Sequence, residues 1–250
     1  MILTIAGREL KSLFLSPLAW ALLAVLQFIL AWSFLVQIEG FQSVQPRLLG
    51  LEGAPGLTDL VATPLLGTAA GLMLLLIPLL SMRLISEEYR SGSFALLLSS
   101  PLSMTQIVLG KYLGLLGFLG FMLLLTAAMP LSLLIGGALD LGKLAAGFLG
   151  LGLLLATIGA IGLFISTLTP QPAVAAVGTY GLVLFLWVIN LAAGADGTGS
   201  TLFAWLSLTS HFDRLTSGLV RASDLAYYLL LITLFLALAI RRLDSRRIQP

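Results

Sequence analysis

Apolar residues along this chain gather into six long runs, at 17–38, 60–82, 105–136, 144–168, 173–194 and 224–241, separated by short polar stretches. At a rise of about 1.5 Å per helical residue, runs of this length can cross a hydrocarbon layer roughly 30 Å thick. None holds Asp, Glu, Lys or Arg near its middle, where a single charge would cost roughly 2.5 to 3.5 kcal/mol. The pattern predicts an all-α polytopic bundle of six membrane-spanning helices. Ser16-Pro17 reads as a cap followed by proline at the first helical position of span one, where the missing N–H costs nothing. Pro64, Pro78 and Pro130 fall inside or near the ends of spans and predict kinks.

Before the first run, MILTIAGRELKSLFLS has helical period: Ile2, Ala6, Leu10 and Leu13 share one face, and Thr4, Arg8 and Lys11 another. Residues 1–16 are therefore expected to form an amphipathic helix along the inner membrane surface. They do not read as a cleavable signal, which needs a basic start and an uncharged apolar centre.

Composition sharpens the class. Hydrophobic residues make up 59% of the 250 and charged residues 10%, with a mean hydropathy of +1.08; a soluble domain does not tolerate this balance. The absence of cysteine excludes disulfides, thiolate metal sites and a catalytic thiol. A net charge of +2 argues against a nucleic-acid partner. Charge placement is more informative. With the N-terminus inside, the inner segments hold Arg8, Lys11, Arg83, Arg90, Lys111, Arg241, Arg242, Arg246 and Arg247, nine of the thirteen basic residues. Arg47, Lys143, Arg214 and Arg221 remain outside among several acidic residues. The positive-inside rule thus predicts that both termini are cytoplasmic.

In that orientation the longest inner loop, 83–104, lies between spans two and three. Ser86 is suited to cap a turn opening with Glu87 and Glu88, whose charges favour a helix N-terminus. Gly92 permits a sharp turn, and Ser93 can cap a short helix carrying Phe94, Leu96, Leu97 and Leu98, stopped by Ser99-Ser100-Pro101. Ser103 to Gln106 fits a capping box that starts span three. An apolar helix this short must lie on lipid or plug into another protein.

The order Glu87-Glu88, Arg90-Ser91-Gly92-Ser93, Leu96-Leu97-Leu98-Ser99-Ser100-Pro101 and Gly110-Lys111 resembles the coupling segment of type-2 ABC-transporter permeases, usually written E-x-x-x-G-T-x-E-x-L-L-x-x-P. Ser93 stands in place of the usual Thr, and Ala95 in place of the usual acidic residue. Residues 207–229, SLTSHFDRLTSGLVRASDLAYYL, are similar to the segment before the last span in the gliding-motility permease subfamily. The resemblance implies a six-span permease domain over 1–250, with a coupling helix in 83–104 seated in a groove of a separate cytoplasmic ATPase. Glu87, Glu88, Gly92, Phe94, Leu96, Leu97, Leu98 and Pro101 would carry that contact. It implies partner ATPase subunits that bind ATP and Mg, a second permease copy or paralogue, and room for an auxiliary extracytoplasmic subunit. A bacterial inner-membrane exporter fits it. Spans one and five line the subunit interface in the family; here that implicates Ala21, Ala24 and Gln27, and Ala176, Thr179 and Tyr180.

Residues 195–223 are too interrupted to span and too long for a tight turn, so short re-entrant helices are expected at the outer interface, with Trp205 and Phe212 at an outer gate. Other motifs carry less. GALDLGKL at 137–144 has a phosphate-loop skeleton, but Leu144 replaces the hydroxyl that would hold magnesium, so no nucleotide site is expected in this chain. His211 and Asp213 cannot face each other two apart on a helix, and His211 reads as an interfacial loop residue. The G-x-x-x-G matches at Gly67–Gly71 and Gly110–Gly114 are expected to pack helices closely. Gln27 and Asn190 are the amides placed to bond a neighbouring helix. An ion-coupled carrier, a passive pore or a structural membrane protein is the alternative, but carriers use intramembrane carboxylates or histidines, and no run carries one at its middle.

Overall fold

The computed structural model describes residues 1–48, 55–94, 102–135, 138–194 and 205–248. Helices run over α1 (Ile2–Leu15), α2 (Pro17–Leu48), α3 (Thr63–Ser81), α4 (Arg83–Ser91), α5 (Met104–Ser132), α6 (Leu141–Ser166), α7 (Pro172–Gly194), α8 (Leu208–Thr216) and α9 (Ala222–Ile248). Six are long and apolar enough to cross a membrane: α2, α3 with α4, α5, α6, α7 and α9. The protein is a multi-pass, all-helical membrane protein. Each span matches one of the six apolar runs, several with extra turns at their ends.

The sequence explains where helices begin and bend. Ser16 is extended, at φ −79° and ψ 120°, and α2 starts at Pro17. Ser103 and Gln106 form a reciprocal capping box at α5, and the Asp140 carboxylate accepts from the Lys143 N–H to cap α6. A π-helical turn over Thr58–Ala62 precedes α3; its Thr58 hydroxyl accepts from the Asp140 N–H at 2.9 Å and its Asp59 pairs with Lys143. The lysine of the phosphate-loop look-alike is thus an ion-pair partner that fastens two helix ends. Pro78 lies in the last turn of α3, and after a break at Met82 the chain continues directly into α4. Ser86 consequently sits inside a continuing helix, its hydroxyl donating back to the Met82 carbonyl, and caps nothing.

α6 is the central element. Most of its length is buried, and its glycines let neighbours approach. A Cβ on Gly150 would lie 2.8 Å from Leu215 Cβ, one on Gly159 3.0 Å from a Leu115 methyl, and one on Gly162 2.6 Å from Ser81 Cβ. α8, α5 and α3 are therefore held at backbone distance on different sides of one helix. α2, by contrast, meets the bundle through a single stripe, Ala19, Leu23, Leu26, Leu30 and Phe34, and leaves Trp20, Phe28, Trp32 and Leu35 exposed.

α1 departs from expectation. Gly110 of α5 lies against Ile2 and Ile5, Gly114 against Ala6 and Glu9, and Gly117 against Leu10. Phe14 meets Phe118 and Phe121, each at 5.2 Å between ring centres. This register places α1 lengthwise beside the first half of α5, running in the same direction. The apolar face expected to rest on lipid covers a glycine ridge of another helix. The Gly110–Gly114 match is this contact; Gly67 and Gly71 are different, since a Cβ on Gly67 would meet nothing within 4 Å and one on Gly71 only the Trp187 ring at 3.9 Å. Among the described residues no helix backbone approaches that second pair closely.

Candidate functional site

At the end of the bundle that holds both termini, α4 presents two faces. Leu84, Ile85 and Ser86 are buried, while Glu87 is exposed and sits 3.8 Å from Arg83 one turn back. Gly92 closes the helix in the left-handed region, at φ 73°, a conformation that costs glycine nothing. Phe94 then turns inward. It is 7% exposed and packs its ring 4.3 Å from Tyr89, whose other contact is the Arg246 guanidinium, 4.8 Å from the ring centre. The segment is thus pinned to α4 and to the end of α9. Phe94, expected on a knob facing a partner, is engaged by its own chain; Leu96, Leu97, Leu98 and Pro101 lie outside the described residues.

Three helices converge on one cation. Lys111 of α5, with 8% of its side chain exposed, has its Nζ 2.8 Å from Glu88 of α4 and 3.0 Å from Glu9 of α1. A buried ammonium is tolerable only with such partners, and Glu88 and Glu9 supply them, with Glu88 Oε2 left buried and without a hydrogen bond among the described residues. Glu88 is therefore committed within the chain, and Glu87 is the carboxylate left facing outward. The role of Glu9 was missed from sequence, yet a signal existed. Glu9 lies four residues after Ile5 and within the face that packs on α5, so a carboxylate there demanded a buried cation, just as Lys111 inside an apolar run demanded an anion.

The six residues expected at a subunit interface divide. Ala21 and Ala24 are exposed on α2. Gln27 turns inward, its amide donating to the Thr126 hydroxyl of α5 at 3.3 Å, which is the interhelical bond expected of it; the Asn190 side chain lies outside the described residues. Ala176 and Thr179 are buried within the chain, Thr179 donating to the Ala175 carbonyl one turn back, while Tyr180 donates to the Leu75 carbonyl of α3.

The opposite end is closed by a polar cluster under α8. His211 is 1% exposed. Its Nε2 donates to the Trp205 carbonyl at 2.9 Å, and its Nδ1 lies 2.7 Å from Asp224 Oδ1 at the start of α9. Arg214 reaches the same carboxylate oxygen at 2.7 Å, and His211 stacks on Tyr227 with 4.0 Å between ring centres. The hydroxyls of Tyr227 and Tyr228 donate to the carbonyls of Leu206 and Leu208. His211 is accordingly a buried residue of a short helix, not a loop residue, and its partner is Asp224, thirteen residues on, not Asp213. Phe212 is buried beside it, and Trp205 remains half exposed at the surface.

Among the described residues no group of three or more His, Cys, Asp or Glu side chains is placed to hold a metal ion. The chemistry on offer is mechanical: a charged hub joining α1, α4 and α5 at one end, and a bonded cap joining α8 to α9 at the other. A comparison with curated proteins found no match. A profile of the ABC-2 family transporter proteins matches residues 3–247, nearly the whole chain and both ends of the bundle. The chain belongs to the ABC-2 transporter family and is a membrane permease subunit of an ABC transporter, a kind of subunit that associates with a cytoplasmic ABC ATPase.

Proposed function

We propose that this subunit is driven by a separate ATPase that docks on the 83–104 segment in the cytoplasm, and that it exports its cargo across a bacterial inner membrane. ATP and Mg bind the partner ATPase, and both termini face the cytoplasm, as the nine-to-four division of basic residues favours. The observation that carries the reading is the Lys111 hub. A push on α4 reaches Glu88, and through Lys111 it reaches α1 and span three together, so the loop is built to move helices as a unit. Phe94 and Tyr89 anchor the segment to the permease, which leaves Leu96 to Leu98 for the ATPase groove and Glu87 for its rim. A second copy or paralogue completes the pathway, with the exposed face of α2 around Ala21 and Ala24 at or near the shared surface.

The test is co-purification of the ATPase with the permease, together with ATP-driven transport in lipid vesicles. Leu97→Asp removes an apolar contact worth roughly 1.5 to 3 kcal/mol and strands a charge; the expected result is loss of bound ATPase. Glu87→Gln, at an exposed rim pair worth about 1 kcal/mol or less, weakens the complex slightly. Wild-type ATPase binding and transport in Leu97→Asp would make 83–104 a passive loop and remove the ATP-driven reading.

A further inference from the structure

Among the described residues only the Trp187 ring of α7 approaches the pair Gly67 and Gly71, and a cavity lies over them. A cavity of about 280 Å³ opens between α3, α6, α7 and α8, floored by the two glycines and Ala70, with the Trp187 ring on one wall. Leu154 and Phe212 close its sides, and the Asp213 carboxylate stands on its lining beside Thr209. Every wall but that one is apolar. Asp213 has no hydrogen bond or ion pair to its carboxylate among the described residues, because the neighbouring Arg214 is turned to Asp224. An apolar chamber with an exposed, unpaired carboxylate at its mouth and one aromatic wall selects for a particular chemistry.

We propose that this cavity is a binding site for a small amphiphilic cation, an ammonium head on a compact apolar or aromatic body. The head pairs with Asp213, and the body lies over Gly67 and Gly71 against Trp187. Asp213 is exposed, so its carboxylate meets the head at the mouth of the chamber, where partial desolvation raises its carboxyl against the opposing pull of Arg214. Charge also sets the selectivity, since an anionic amphiphile of the same shape would meet the carboxylate with its own charge. The volume limits the ligand to roughly a dozen heavy atoms or slightly more, which excludes the whole of a two-chain lipid. The glycines help keep the chamber open: a Cβ at Gly71 would meet only the Trp187 ring, at 3.9 Å.

Trp187 makes the site directly observable. The probe is 4-bromobenzyltrimethylammonium, compared with its neutral isostere 1-bromo-4-neopentylbenzene, titrated onto protein in lipid nanodiscs. Trp20, Trp32 and Trp205 are replaced by Phe so that bromine quenching reports Trp187 alone. The expected result is saturable quenching by the cation, a half-saturation concentration at least tenfold higher in Asp213→Asn, and loss of the saturable phase in Gly71→Leu with an unchanged melting temperature. The neutral isostere should quench only in proportion to its partitioning into lipid. Cation quenching that never saturates, or a curve unchanged by Asp213→Asn, overturns the proposal. Binding is read without an ATPase, so either outcome leaves the permease reading where it stands.

Discussion

Lys111 keeps its charge in a nearly closed site because Glu9 and Glu88 arrive from two other helices. Removing one member of such a group strands the others, typically at about 3 to 5 kcal/mol. Lys111→Met is therefore expected to lower the melting temperature sharply in detergent, and adding Glu9→Gln and Glu88→Gln should recover most of the loss. A triple variant as unstable as the single one would mean that the lysine stem, not its charge, fills the site. The charges themselves were visible in the sequence as carboxylate and ammonium groups on otherwise apolar faces. Their pairing was not, because Glu9 and Lys111 are 102 residues apart and nothing local sets which charge meets which. The same limit hid the partner of His211. Asp213 is near in sequence but is exposed at the rim of the cavity, and Asp224 becomes the partner only after the chain has turned through Gly218, at φ 89°.

At the scale of elements, close packing of α1 depends on three glycines of α5. A Cβ at Gly114 would lie 2.6 Å from Glu9 Cβ and 2.9 Å from the Ala6 carbonyl, so Gly114→Leu should lift α1 away. Gly7→Leu, on the open face of α1 with nothing within 4 Å, provides the matched control against loss of glycine as such. Arg8 and Lys11 are exposed on α1, and trypsin cleavage there should accelerate in Gly114→Leu and stay slow in Gly7→Leu. Equal rates in the two variants would mean that α1 is not held by this ridge. At the other end, Asp224→Ala removes the carboxylate that His211 Nδ1 and Arg214 both meet, and amide exchange over 205–216 should rise well above that of α6. Exchange unchanged in that stretch would show that packing of Phe212 and Leu215, not the polar cluster, holds α8. Helix periodicity disclosed the apolar face of α1 but not its covering, since lipid and a glycine-lined helix ask for the same side chains. The capping residues Ser103 and Gln106 act within one turn of themselves, and Pro17 fixes the first turn of α2, which is why those boundaries were readable.

For the whole molecule, the six spans follow from run length and hydropathy, and α1 and the end of α9 lie at the same end of the bundle, where Lys111 holds Glu9 and Glu88 and Arg246 lies over Tyr89. Which side of the membrane that end faces is open to direct test in a chain without cysteine. Single cysteines at Ser91 and Ser217 are expected to react oppositely with an impermeant reagent on intact cells, Ser217 labelled and Ser91 silent; the reverse pattern would invert the topology. The central place of α6 was not legible, because its glycines read as composition until their neighbours are known. The lengthwise seating of α1 also bears on the order in which the chain is made. Its first residues leave the ribosome about a hundred residues ahead of the helix that receives them, an interval of about 5 to 20 s at ordinary synthesis rates. During that time the face of Ile2, Ala6, Leu10 and Leu13 has only the lipid surface to cover it, and Glu9 has no lysine. The nascent helix is therefore expected to wait on the membrane and to leave it for α5 once span three is in place, a change of partner that follows from the timing of synthesis.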